Sequence, residues 1–320
     1  MNIKRWVARR EQDWQRLNQL LGKVEQKRLK NLTSSEIREL ASLYRSVAAD
    51  LARARTQEVG KTLTQSLQTL TTRGYTQIYQ GSRKQEWQAV KEFYSWGFPT
   101  VVQKTFIYTT VATALFLFSG LIAWWYAWQD PTFMSLIVPE RLISQVRDRG
   151  ELWMGSIVGI EPLASSNIMI NNISVSFGAV AGGITGGIYT TYLMILNGLL
   201  IGAVATLVGQ NNLAYPFWAF VFPHGALELP AIFLAGGAGL LIAKGILFPG
   251  KYRRIDAIKI HSSLAAQLVF GIVPLLVIAG IIEGFISPNP AIPDPIKYLI
   301  GISLLIGLVM YFNRQQSTVN

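Results

Sequence analysis

The sequence predicts an all-α, polytopic transmembrane protein with a basic, helical N-terminal region. Three observations predict it. Half of the 320 residues are hydrophobic and only 15% are charged, whereas a water-soluble domain carries about a quarter of its residues as charge. The stretch from Pro162 to Leu227 contains no Asp, Glu, Lys or Arg. The charge is also gathered at the front, where residues 1–104 hold 19 of the 29 Lys and Arg against 9 of the 18 Asp and Glu. Two domains follow from this. Residues 1–104 read as a cytoplasmic basic helical bundle ending in a juxtamembrane amphipathic helix. Residues 105–320 read as a transmembrane domain with an outer loop or helix at about 129–165.

In the first region, Thr33-Ser34-Ser35-Glu36 has the form of a capping box, with Thr33 serving a backbone N–H and Glu36 reaching back. Behind it, Ile37, Leu40, Leu43, Tyr44, Val47 and Leu51 recur at three- and four-residue steps and draw one apolar stripe. Further helical patterns cover about 7–29 and 63–79, with Gly60, Gly74 and Gly81 as expected breaks. From Gln85 to Lys104, Trp87, Phe93, Tyr94, Trp96 and Phe98 stand among Lys91 and Lys104, a composition suited to the lipid headgroup layer. Pro99 is expected to divide this surface helix from the first span. The opening MNIKRWVARREQDW is charged rather than apolar, so no cleavable signal peptide is expected.

A hydrocarbon core needs roughly 20 apolar residues per helix. Six spans satisfy that length: about 106–128, 173–190, 192–209, 223–247, 264–285 and 296–312. Basic residues in short loops set the orientation. The front end and Lys251, Arg253, Arg254 and Lys259 belong inside. The mildly acidic 129–165 segment and the Pro-rich turn after Ser287 belong outside, with Lys297 as a mild exception. A plasma-membrane protein with both termini cytoplasmic is the result. Leu142, Ile143, Val146 and Trp153 draw one side of a short helix that reads either as lying on the outer membrane face or as solvated.

The glycines repeat at four-residue steps: Gly178, Gly182 and Gly186, then Gly198 and Gly202. On a helix this makes a flat groove that lets backbones approach in lipid. Such a groove serves either packing within one chain or a homo-oligomeric interface. No Walker-type Lys-Ser/Thr follows, so a phosphate loop is not indicated.

Ionisable residues within spans are costly and therefore informative. With Pro223 at the first turn of a helix, His224 and Glu228 lie four apart on one side. Glu283 reaches the same end of the next span, and Asn171 and Asn172 begin span two there. A common polar depth near the outer leaflet is expected. It reads as a structural set, with Glu228 complementing the helix dipole, or as a pocket for a ligand, a proton or a lipid headgroup. A zinc site is a lesser alternative, since two carboxylates and an imidazole are competent ligands but no HExxH is present. Neither a metal nor any other cofactor is expected. Asn197, alone in span three, should bond a neighbouring helix. No Cys is present, and no Ser-His-Asp set accompanies these residues, so an enzyme is not expected. The basic front end sits on amphipathic helices beside lipid, which accounts for its charge without nucleic acid.

The run Asn172 to Phe177-Gly178, Thr185-Gly186, Asn197-Gly198, Pro223-His224-Gly225-Ala226-Leu227-Glu228-Leu229-Pro230 and Glu283-Gly284-Phe285-Ile286-Ser287-Pro288 resembles the stage II sporulation protein M family. Tyr44-Arg45 with Asp50-Leu51-Ala52-Arg53-Ala54 looks like the cytoplasmic segment of its longer members. The resemblance implies a plasma-membrane scaffold. In endospore formers such proteins anchor the peptidoglycan-remodelling stage II sporulation proteins D and P, which hold the wall-cutting chemistry. The extra length in the front end suggests a cytoplasmic partner as well. A transporter or channel using the His/Glu site is the alternative.

Overall fold

The computed structural model describes residues 3–27, 32–154 and 161–314, and the side chains of these segments except at 26–27, 80–85, 131 and 161–168. Among the described residues every regular element is helical. The chain divides into two compact units, Met1–Glu92 and Phe93–Asn320.

The first unit holds α1 (Ile3–Lys27), α2 (Ser34–Thr56) and α3 (Lys61–Tyr75), then a π-helical turn (Thr76–Gln80) and α4 (Gly81–Glu92). The capping box forms at the start of α2: the Glu36 N–H donates to Thr33 Oγ1, and the Thr33 N–H donates to the Glu36 carboxylate. Leu17, Leu20, Leu21 and Val24 of α1 are buried with Leu40, Val47, Leu51 and Ala54 of α2 and Leu67 of α3. Each leucine or valine so buried stabilises by about 2 kcal/mol.

Local details refine the sequence pattern here. Ile37 is exposed, because the stripe turns away from the core at the first turn of α2. Gly74 and Gly81 bracket the π-helical turn that separates α3 from α4. Gly74 also admits the Tyr44 ring of α2, whose Cδ2 would lie 2.7 Å from an added Cβ. Asp50 is buried within the apolar side of α2. It accepts from Arg10 Nε at 2.8 Å and from Trp14 Nε1 at 3.0 Å.

The second unit begins with a π-helical turn (Phe93–Gly97) and α5 (Phe98–Lys104). The expected division at Pro99 is not where the helix stops. Pro99 occupies the first turn of α5, and the break falls at Thr105, before α6 (Phe106–Gln129). The aromatics of this segment are also not all headgroup anchors. Phe98 is buried against Gly271 and packs beside Tyr311 and Phe312.

After α6 come the short helices α7 (Pro131–Ser135) and α8 (Glu140–Arg149), then α9 (Glu161–Ala181), a 3₁₀ turn (Gly182–Thr185) and α10 (Ile188–Gln210). The remainder is α11 (Ala214–Leu247), α12 (Arg254–Phe285) and α13 (Asp294–Phe312). Among the described residues, α6, α10, α11, α12 and α13 are each long and apolar enough to cross a membrane.

The break between the second and third expected spans is displaced. The sequence pattern places it at about 191, but the chain turns at Gly186 and Gly187, with φ of 67° and 85°. Only glycine adopts that backbone without cost, so Gly186 leaves the helix instead of continuing the Gly178–Gly182 face. The expected starts at 223 and 264 are also late, since α11 begins at Ala214 and α12 at Arg254. Prolines 223 and 230 lie inside α11.

The glycines place helix on helix. An added Cβ at Gly198 would overlap the Phe116 carbonyl oxygen, and one at Gly202 the Gly120 carbonyl oxygen. Thr206 Oγ1 donates to the Trp124 carbonyl at 3.1 Å, and Gln210 Nε2 to that of Trp128 at 3.5 Å. All four contacts share one offset of 82 residues, so α6 and α10 run parallel. Gly183 meets Gly239 backbone in the same manner. Gly182 lies against Thr190, and a Cβ added at Gly178 would stand 3.3 Å from Leu193 Cδ1.

The segment after α6 caps the helix ends with protein. Ile143 and Val146 of α8, with Met134 and Met154, are buried together with Val204, Leu207, Phe217 and Phe220, and Trp153 packs on Phe217 with ring centroids 5.8 Å apart. The apolar side of α8 therefore packs on α10 and α11.

Candidate functional site

Helix α11 presents His224 and Glu228 one turn apart, and α12 presents Glu283 near its C-terminal end. One ligating atom from each of the three lies within 4.8 Å of the other two. Nδ1 of His224 is 3.0 Å from Ser287 Oγ, and its Nε2 is 3.8 Å from Glu283 Oε1. His224 is buried, as is Ser287 just beyond α12, while Glu228 and Glu283 are partly buried. The second oxygen of Glu283 is buried with no hydrogen-bond partner.

The local backbone explains the placement. Pro223 and Pro230 lack an N–H, so the carbonyls of Ala219 and Ala226 lose their helical donors. The His224–Glu228 turn is thus bracketed by two loosened points. Glycine then lets other elements come close. An added Cβ at Gly280, one turn before Glu283, would lie 2.8 Å from Met169 Cβ of α9, and one at Gly301 of α13 would overlap the Phe222 ring.

Pro223 is well inside α11 and Glu228 is fourteen residues past Ala214, so the N-terminus of α11 does not stand beside Glu228. The helix-dipole explanation of this carboxylate therefore fails. Asn171 is exposed and donates to Asn172 Oδ1 at 3.3 Å; among the described residues no hydrogen bond ties either to the cluster. Asn197 donates to the Leu193 carbonyl of its own helix at 2.8 Å. The expected bond to a neighbouring helix is replaced by this local one, which takes up one of the amide N–H groups. His261 also bonds its own helix, at the Ala257 carbonyl. Ser287 is the member that sequence reasoning missed, although it sits four residues after Glu283 and so on the same side of a helical turn.

Fold and site together define a helical membrane protein with several candidate spans and a buried histidine that bonds a hydroxyl and lies beside two carboxylates. The sequence matches the Stage II sporulation protein M family over residues 112–288, more than half of the chain, and a domain of unknown function (DUF8413) over residues 4–80. The chain belongs to the Stage II sporulation protein M family. Two relatives come from Methanocaldococcus jannaschii. Uncharacterized protein MJ0793 is 31% identical over 129 residues, 39% of this chain and 71% of its own length. Uncharacterized protein MJ0706 is 26% identical over 104 residues, 32% of this chain and 47% of its own length. No solved structure matches.

Proposed function

We propose that the protein is a non-catalytic plasma-membrane scaffold that links peptidoglycan-remodelling envelope proteins outside to a cytoplasmic partner inside. The observation that carries this reading is the closure of the helix interior by backbone-to-backbone contact at Gly183, Gly198 and Gly202. The small cavity between α9, α11 and α12, lined by Ser176, Val180, Ala235 and Ile272, has about 10 Å³, room for a single water molecule at most. Helices packed in this way suit a rigid platform.

The topology we propose has six spans and both termini cytoplasmic. Parallel α6 and α10 require a return between them, and the 21 residues of α9 supply about 31 Å of helix, enough for one crossing. The excess of Lys and Arg in residues 1–104 supports a cytoplasmic front end. Because the chain has no Cys, single cysteines test this directly. Asn289→Cys should label with a membrane-impermeant maleimide in intact cells, and Lys251→Cys only after permeabilisation. The reverse pattern would overturn the orientation.

The scaffold role is tested by cross-linking in native membranes, which should recover a cell-wall hydrolase or its regulator on the outer face. The second reading, a transporter or channel, is favoured by the His224/Glu228/Glu283 cluster. Ion or solute flux in proteoliposomes that is lost in Glu228→Gln would favour it over the scaffold.

A further inference from the structure

We propose that His224, Glu228 and Glu283 bind a divalent transition-metal ion of the zinc type, which pins α11 to the C-terminal end of α12. The argument begins with the donor set. Imidazole and carboxylate oxygens are the ligand types such ions take, with metal–ligand distances of about 2.0–2.2 Å. Tetrahedral ligands at that range stand about 3.3 Å apart. The three ligating atoms lie within 4.8 Å of one another, so side-chain rotation of an ångström or so brings them onto one ion.

A second observation concerns His224, whose side chain is 7% exposed. Its Nδ1 is held by Ser287 Oγ at 3.0 Å. When Nδ1–H donates to that hydroxyl, the Nε2 lone pair points toward the carboxylates. Metal-binding histidines are oriented in this way, with the far nitrogen donating to a fixed acceptor. Without a cation the same geometry sets a lone pair against two acidic groups. Nε2 stands 3.8 Å from Glu283 Oε1, beyond hydrogen-bond range, and Glu283 Oε2 is buried without a partner. Burying such acceptors unpaired is costly, and one ion would satisfy them together. The three residues leave a fourth position for water.

The inference is independent of the scaffold reading, because a metal fixing two helix ends suits a platform and a transporter equally. The test uses the full chain purified in detergent, stripped with a chelator and titrated with Zn²⁺ alone. Elemental analysis should give one zinc per chain, and zinc should raise the melting temperature. Glu228→Gln and Glu283→Gln should each weaken binding at least tenfold, and Ser287→Ala by about tenfold as an orienting residue. Asp294→Asn should leave binding unchanged. Since a variant at a buried site can fail to fold, the wild-type chain is also loaded with Co²⁺, whose d–d absorption should report a nitrogen- and oxygen-ligated site. Wild-type protein that takes up neither zinc nor cobalt stoichiometrically would overturn the proposal. So would zinc uptake equal to that of a folded Glu228→Gln/Glu283→Gln double variant.

Discussion

Where α1 meets α2, large apolar side chains fill the contact and ion pairs surround it. Where α6 meets α10, glycines bring backbone against backbone and polar side chains bond carbonyls across the contact. Arg16–Glu39, Lys23–Glu36 and Arg10–Asp50 tie the first pair of helices at 2.8 Å each; Gly120, Gly198 and Gly202 seat the second. The difference follows from the solvent. In water, burial of leucine drives association. In lipid, leucine is already in an apolar medium, so close packing and interhelical hydrogen bonds remain as the drive. The same α-helix is thus joined by bulk in one unit and by absence of bulk in the other.

The comparison breaks most sharply at Gly202. Gly202→Leu forces a side chain into the Gly120 carbonyl and should cost about 3 kcal/mol or more, seen as a large fall in melting temperature in detergent. Gly307→Leu on α13, where nothing lies within 4 Å of the added carbon, should shift it little. Next comes Asp50→Ala, which leaves Arg10 and Trp14 without their shared acceptor. Arg10 is 23% exposed on its side chain, so the loss should be about 2 kcal/mol rather than the larger value for a sealed pair. Hydrogen exchange in α1 and α2 of the full chain should accelerate, with α10 unchanged. Thr33→Ala removes the cap of α2 and should cost about 1 kcal/mol, read as fraying of the first turn by the same exchange measurement.

The smallest effect concerns pH. The Lys23 ammonium, with the Thr33 backbone and hydroxyl, holds the Glu36 carboxyl at about 2, below its ordinary 4.5. A carboxyl depressed on folding stabilises above its unfolded value and loses that contribution as pH falls through the folded one. Protection of α2 should therefore decline from about pH 4.5 toward pH 2. In Glu36→Gln that slope should flatten, and an unchanged slope would remove Glu36 from the account.

Much of this was legible in residues alone. The charge-free run and the basic front end pointed to the membrane fold, and the i,i+4 spacing of His224 and Glu228 put them on one helical side. What stayed hidden depended on partners. Pro223 looks like a helix start because proline suits a first turn, yet an interior proline is tolerated in α11 among packed neighbours. Gly186 keeps the four-residue spacing on paper, while the left-handed backbone at 186 and 187 has no sequence mark beyond the doubled glycine. Asp50 falls on the apolar side of α2, but only the positions of Arg10 and Trp14 reveal why a charge is accommodated there. Ser287 shares a side with Glu283 and matters only once His224 arrives from another helix.

The 82-residue offset between α6 and α10 has a consequence for synthesis. Helix α6 leaves the ribosome long before the helix that covers its glycine side exists. At about 5–20 residues per second, the delay is roughly 4–16 s. During that wait Ser119 and Gly120 face lipid or the insertion machinery, and any chaperone that shelters nascent spans would find its substrate there.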